Sequence, residues 1–499
     1  MDAHTNDLTY QAPVLHGDYP TFVSLFAAAA DRFPDTEAYV HCGARITYSK
    51  WYERSLRLAA AFEDRDVRAG DIVLIGIESS IDFALCFAAA QIIGAIASGV
   101  NTRLGSREIA AIVEQTQAPL MILEEGGSEP IGVRKIIRRG DIESLCQSSR
   151  KAEPHRGVAS DIAVIIWTSG TTGLPKGASF AHENLSCAIQ TAGPMAEPFA
   201  RKLSSVPFAH AGYMAKAWEQ IAFAMTLVIS DTPWSADDML HLLVDERISI
   251  AGAVPTQWAK LLDHPAVSNA DLSNIKVGIT ATAPAPPELI ERVTCVIGAP
   301  LIVRYSMTEC PSMTGTRVGD SAEVQYRTVG RPQPGIKLKL VGMDESKIGR
   351  IAVQSGGMMR GYWRDPERTA AAIQDGWLIS SDLGRFNGDG NLILAGRAGE
   401  MYIRGGYNIY PLEVERVLSE LPSVGAVAIV GVAAPKIGEI GIAFVVPSDP
   451  ECPPSLAALR NHIRGQIADY KAPDQLMLLE ALPLTPMMKV DKAALQALV

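Results

Sequence analysis

The sequence predicts an α/β fold in unequal parts: a large N-terminal domain of parallel-sheet α/β subdomains with a β-rich subdomain, then a small α+β C-terminal domain. Three observations carry this. Short apolar runs alternate with amphipathic, helix-period segments through most of the chain. Across 330–354 the texture changes to short strands punctuated by Gly and Pro. Beyond Gly396-Arg397 a compact set of helix and strand patterns begins, about a hundred residues long, a usual domain size. At 499 residues the chain exceeds what one core supports. The expected divisions are 1–396 and 401–499, with the change of pattern at 397–400.

Taken in order, helical patterns fall at 21–32, 48–64, 106–115, 236–246 and 256–262. Strand-like runs fall at 72–77, 120–123, 162–167, 227–229, 248–253, 276–279 and 301–305. The most apolar stretch, 83–100, is interrupted by Gln91 and Gly94. With its flanks it reads as strand 72–77, buried helix 81–93 and strand 95–100, not as a membrane span. The C-terminal part reads as a hairpin, helix 411–421, strands 426–432 and 441–447, helix 455–469 and strand 475–479.

A 47% hydrophobic, 20% charged composition is that of a globular protein. The net charge of −10 argues against nucleic acid or anionic membrane as partner, while leaving room for local basic sites. Seven cysteines lie scattered, without C-x-x-C or metal spacing, as expected of reduced thiols in a cytoplasmic protein. Residues 1–19 have neither the basic start nor the apolar stretch of a secretory signal.

The most informative run is Thr168-Ser169-Gly170-Thr171-Thr172-Gly173-Leu174-Pro175-Lys176-Gly177. Four hydroxyls, three glycines and a cation follow an apolar strand. Glycines let successive N–H groups turn inward, and hydroxyls with a lysine add donors for oxygen-rich anions. Such a loop is built for polyphosphate, although it is not the G-x-x-x-x-G-K-[ST] loop. Tyr305-Ser306-Met307-Thr308-Glu309 ends another strand-like run. There a tyrosine can stack on a base, a threonine can bond a phosphate oxygen, and a carboxylate can hold Mg²⁺. In 376–384, Asp382 offers a carboxylate, the natural acceptor for a vicinal diol. Two further segments complete the set: 396–415, with Arg397 and Gly405-Gly406, and 482–492, with Lys489.

In this order the five segments resemble the signatures of the adenylate-forming superfamily of acyl- and aryl-CoA ligases, luciferases and adenylation domains. The resemblance implies an acyl-CoA-synthetase-like fold and an ATP-dependent acid–thiol ligase. Such an enzyme converts a carboxylic acid to acyl-AMP, releasing pyrophosphate, then transfers the acyl group to coenzyme A. It implies Lys489, Thr308 and Glu309 as catalytic residues, Lys489 bridging the substrate carboxylate and the α-phosphate. Thr168, Ser169, Gly170, Thr171, Thr172, Gly173 and Lys176 would cradle ATP, with Glu309 and Thr168 holding Mg²⁺. Tyr305, Asp382 and Arg397 would bind the nucleoside, and Gly405 and Gly406 would line the pantetheine channel. The acyl pocket would draw on Phe208, His210, Ala211, Gly212, Val254, Gly278, Ala281, Thr282 and Met307. Its apolar walls favour an aryl, alicyclic or medium-chain acid. Those segments contain no Asp or Lys to match an α-amino acid. The small domain would swing about 397–400 between the half-reactions, and a homodimer is compatible with such a chain.

Several positions depart from the family pattern: Ser306, Ser380-Ser381, Gly399, Glu400, Met488 and the turn 281–284. The alternatives are an acyl-AMP ligase that loads a carrier protein, and a non-catalytic relative that binds a ligand.

Overall fold

The computed structural model describes residues 12–168, 174–282, 285–404, 407–434, 438–485 and 489–499. Two large sheets organise the N-terminal part. One has seven strands in the order Gly361–Tyr362, Lys176–Ala181, Ile162–Thr168, Ile96–Gly99, Ile72–Gly76, Leu120–Leu123 and Lys135–Arg138. Its last five strands are parallel, while Lys176–Ala181 returns antiparallel to Ile162–Thr168, joined by the phosphate-loop segment. The other has nine strands, parallel from Leu301–Met307 across to Glu37–His41 and antiparallel at both edges.

The apolar stretch 83–100 is resolved by packing. Ser80 caps the helix Ile81–Ile92, which is buried from Phe83 to Ile92 without a polar face. Such a helix lies deep in a large core. Its one polar interior residue, Gln91, donates to the Ala163 carbonyl at 2.7 Å. Among the described residues no helix is long and apolar enough to cross a membrane. The first helix, Phe22–Arg32, starts on a Thr21–Ser24 capping box. One hairpin is absent from the pattern reading: Glu37–His41 and Ala44–Thr47 are joined at Cys42 and Gly43, both at positive φ. A two-residue turn of that hand matches strand twist, but Cys-Gly lacks the usual Asn-Gly or Asp-Gly signature.

The β-rich region expected at 330–354 appears as a five-stranded sheet built on Lys337–Val341, Gly349–Gln354, Trp377–Phe386 and Leu392–Arg397. The final part carries its own five-stranded sheet, dominated by the long antiparallel pair Val424–Ala434 and Gly438–Pro447. Its core includes Tyr402, Ile429, Ala443, Leu459 and Ile463. A small apolar patch joins the two parts: Ile348, Leu383 and Ala395 pack with Tyr410, and Met401 flanks them. The Tyr410 hydroxyl donates to Asp344 Oδ2 at 2.7 Å.

Candidate active site

The adjoining ends of three sheets supply the site. Thr168 ends its strand opposite Lys176 in the antiparallel register. Beside Lys176, Gly177 is tightly packed: a Cβ there would lie 2.7 Å from Ile165 and 3.1 Å from the Trp167 ring, so those side chains would have to shift. Ser169, Gly170, Thr171, Thr172 and Gly173, expected to cradle phosphate, lie outside the described residues, as do Gly405, Gly406 and Met488. The Lys176 ammonium sits 5.7 Å from the centre of the Tyr362 ring, a cation–π distance that aligns it with the strand Gly361–Tyr362.

Thr308 and Glu309 form a two-residue turn, because Met307 pairs with Cys310 in the hairpin of Leu301–Met307 and Cys310–Gly315. The strand is parallel to one neighbour, as the sequence suggests, and antiparallel to the next. Tyr362 donates to Glu309 Oε1 at 2.7 Å. Burial first, then the Glu309 charge, raise the Tyr362 pKa, so this phenol stays a donor. Sequence reasoning missed Tyr362, which belongs to none of the recognised segments. The other Glu309 carboxylate oxygen accepts no hydrogen bond among the described residues. A hard oxygen donor in that position suits Mg²⁺, which takes one or two carboxylates together with phosphates.

Asp382 and Arg397 face each other across paired strands. Arg397 Nε donates to Asp382 Oδ1 at 2.9 Å, and the Tyr305 hydroxyl donates to Oδ2 at 2.7 Å. Tyr305 is only 8% exposed and its ring belongs to the core. The stacking platform expected from sequence is therefore a buried phenol that orients the Asp382 carboxylate. Its pKa is raised by burial and by Asp382.

The chain then turns tightly, with Glu400 and Met401 N–H groups both donating to the Arg397 carbonyl. A Cβ at Gly399 would meet nothing within 4 Å, so the departure at this position is sterically neutral. Glu400 is bound by Lys492 at 3.0 Å, and Lys492 also reaches Glu415 at 2.8 Å. This clasp ties the turn to the C-terminal segment.

Lys489 closes a short loop pinned by the Leu484–Val490 bridge and by Thr485 N–H donating to its carbonyl at 2.7 Å. Lys489 is exposed, with its charge felt by residues of the cleft. Burial, then Arg397, lower its pKa, while Asp382 and Glu309 oppose them. Among the described residues the ammonium makes no salt bridge. The C-terminal part thus holds Lys489 within electrostatic reach of the nucleotide-side residues. His210 feels the same lysine: burial, then Lys489, lower its pKa to about 4. It is neutral at pH 7, caps the short helix Ala211–Met214, and accepts Gly212 N–H at 3.1 Å through Nδ1.

The expected acyl-pocket residues divide. Val254, Ala281, Thr282 and Met307 sit at strand ends or just beyond them, and Ala211 and Gly212 open the short helix that His210 caps. Thr282 has φ +73°, a strained value for a β-branched residue at the site's edge. Phe208 is 1% exposed and stacks on Tyr213 at 3.7 Å, so it backs the wall instead of facing the cleft. Gly278 turns its Cβ direction into the core, where a Cβ would lie 2.8 Å from Ile297 and 2.9 Å from Leu301. It precedes the C-terminal end of Val277–Thr280, and only that end borders the site.

A nucleotide-side cleft, a carboxylate turn and an incoming lysine from a separate small sheet define an adenylate-forming enzyme. The comparisons agree. The family model for AMP-binding enzymes matches residues 26–363, and that for the AMP-binding enzyme C-terminal domain matches 413–489. The chain belongs to this family, among the AMP-forming acid–thiol ligases. It is similar to the feruloyl-CoA synthase of an Amycolatopsis species, 30% identical over 475 residues, 92% of this chain and 95% of that one. Similarity to the indoleacetate–CoA ligase of Aromatoleum aromaticum is 30% over 501 residues, covering 94% and 95%. In fold it matches the crystal structure of an anthranilate CoA ligase with anthranoyl-AMP, with TM-score 0.88 and 22% identity, covering 97% and 98%.

Proposed function

We propose that Lys489, arriving from the C-terminal part, is the group that drives adenylation of a carboxylic acid in this cleft. The observation that supports the reading is that the Lys489 charge lies within electrostatic reach of Arg397, Asp382 and Glu309. A carboxylate oxygen of the substrate attacks the α-phosphorus of ATP, the bond to the β-phosphate oxygen breaks, and pyrophosphate leaves. Charge grows on the α-phosphoryl oxygens, so a preplaced ammonium acts where the charge develops. The phosphate-loop residues 168–176 bind the β- and γ-phosphates, Thr308 contacts the α-phosphate, and Asp382 accepts the ribose hydroxyls. Glu309 with Thr168 would hold Mg²⁺, which would supply charge neutralisation on the phosphates.

In the second half-reaction the coenzyme A thiol, losing its proton, attacks the acyl carbon and AMP departs. Lys489 then occupies space that the thiol needs. Rotation about 397–400 withdraws it and brings 405–406 to the acceptor channel, making domain motion part of turnover. The acids in the names of two relatives, the feruloyl-CoA synthase and the indoleacetate–CoA ligase, suit the aryl end of the expected acid range. The test is AMP release from ATP with a panel of aliphatic, alicyclic and aromatic acids, with and without coenzyme A. Turnover that needs coenzyme A supports the reading. Acyl-AMP that coenzyme A does not discharge would redirect it to a carrier-protein acceptor.

A further inference from the structure

The tip of the first hairpin carries a group of side chains that the ligase reading does not use. His41 ends the strand Glu37–His41, Cys42 opens the two-residue turn, and Asp231 lies two residues past the strand Thr226–Ile229. Those strands are parallel neighbours, Tyr39 beside Leu227 and Val40 beside Val228, so both chains leave the sheet at the same end. The fold thereby joins Cys42 to a residue 189 positions away.

An imidazole, a thiol and a carboxylate converge there. The Cys42 thiol donates to Asp231 Oδ1 at 2.9 Å, and His41 Nε2 lies 3.7 Å from the same oxygen. One ligand atom from each residue lies within 4.8 Å of the other two. Among the described residues this is the one group of three His, Cys, Asp or Glu side chains so placed. Tetrahedral Zn²⁺ at its usual bond lengths holds N, O and S ligand atoms about 3.4–3.6 Å apart. The group reaches that geometry with side-chain shifts of about 1 Å.

The arrangement favours a cation over other uses of such a trio. The thiol bonds to the carboxylate and not to the imidazole, so His41 is not placed as base for a cysteine nucleophile. Burial and Asp231 push the thiol up to about 11, away from a free thiolate. At 3.7 Å His41 makes no hydrogen bond to Asp231. The charges within electrostatic reach of His41 are Asp231, Asp82 and Asp238, opposed by Arg139. Arg139 is itself held by Asp82 at 2.9 Å and Glu124 at 3.0 Å. Among the described residues Asp231 meets no lysine or arginine, and its N–H donates to Asp238 Oδ2 at 3.2 Å. Cys42 holds φ +47°, where hairpin turns usually take Asn, Asp or Gly, so turn geometry does not account for the residue.

We propose that His41, Cys42 and Asp231 form a site for a thiophilic divalent cation of the Zn²⁺ class, with water completing the coordination. Binding breaks the Cys42 S–H bond, the proton passes to solvent, and sulfur ligates as thiolate. The cation ties the hairpin tip to the turn after Thr226–Ile229. Sulfur and imidazole donors set this site apart from the all-oxygen Mg²⁺ site expected at Glu309. The proposal does not depend on the ligase reading.

The experiment uses the full chain, stripped of metal by a chelator that is then removed, and titrated without ATP. Co²⁺ serves as the spectroscopic stand-in for Zn²⁺. One equivalent should bind with a thiolate-to-cobalt charge-transfer band, and Zn²⁺ should displace it while excess Mg²⁺ does not. Cys42→Ser should abolish the band. Asp231→Asn and His41→Gln should each weaken Zn²⁺ affinity by more than about tenfold, a loss that even outer-shell partners of a metal can cause. Cys295→Ser, at an exposed cysteine elsewhere, should leave the titration unchanged. Zn²⁺ should raise the Tm of the wild type but not of Cys42→Ser. Metal-free Tm values equal to wild type show that the variants fold, and three separate side chains keep the test decisive if one variant does not. No charge-transfer band, or a band that survives Cys42→Ser, overturns the site. A band lost in Cys42→Ser with full affinity kept in both Asp231→Asn and His41→Gln overturns the three-ligand arrangement.

Discussion

Asp382→Ala and Lys489→Ala should separate nucleotide binding from chemistry. The Asp382 side chain is 14% exposed and is held by Arg397 at 2.9 Å and Tyr305 at 2.7 Å, so its oxygens are aimed before ATP arrives. Two hydrogen bonds from a ribose diol to a charged acceptor would each be worth about 1.5–3 kcal/mol. The carboxylate must share its lone pairs with partners it already has, so the net loss in Asp382→Ala is set at about 2–3 kcal/mol, or roughly 30- to 150-fold in ATP affinity. Lys489 makes no salt bridge among the described residues and stands on a pinned loop, so its removal disturbs little of the resting cleft. Lys489→Ala should keep near-normal ATP affinity and lose roughly 10²–10³ in adenylation rate, the usual cost of one preplaced donor. Calorimetry with ATP gives the first quantity, and single-turnover pyrophosphate release at saturating ATP and acid gives the second. Equal losses of ATP affinity in the two variants would refute this division of labour.

Tyr362→Phe should leave Glu309 without its donor, raising the Mg²⁺ concentration needed for half-maximal rate while sparing ATP affinity at saturating metal; a magnesium titration decides this. His182 is 7% exposed and accepts Phe22 N–H through Nδ1, and burial lowers its pKa to about 4. The folded chain therefore binds fewer protons than the unfolded one between about pH 6.5 and pH 4. Stability from this group is complete above pH 6.5 and falls by about 3 kcal/mol as the pH drops to 4. Urea unfolding at several pH values should show a shallower fall in His182→Gln; parallel curves would count against it. Lys492→Met should loosen the turn at 397–401 by removing its bonds to Glu400 and Glu415. The expected outcome is faster proteolytic nicking near residue 400, with adenylation slowed more than ATP binding.

Much of this molecule was legible because local chemistry sufficed. The buried helix Ile81–Ile92, the strand Leu120–Leu123 and the pair Val424–Ala434 and Gly438–Pro447 follow from apolar run length and punctuation alone. The nucleotide side was legible because its residues sit in short contiguous segments. What escaped depends on contacts between distant segments. Lys202, on the strand Arg201–Ser204, reaches the buried Glu219 at 3.0 Å, beside Lys216 at 3.3 Å, a grouping that only the fold assembles. The facing of Gly278 was not legible, because a sequence pattern marks the strand but not which side of it meets the core. Tyr362 arrives on a two-residue edge strand too short for any periodic signal.

The apolar patch of Ile348, Leu383, Ala395 and Tyr410 gives the proposed swing a thermal signature. If the small domain rotates at each turnover, that patch must part and become wet before thioester formation. Wetting apolar surface raises heat capacity, so the rotation step carries a positive activation heat capacity. Where rotation limits turnover, the Eyring plot of kcat should therefore curve, while the plot for single-turnover adenylation stays closer to straight. Excluded osmolytes such as sucrose, which oppose exposure of surface, should slow the first and spare the second.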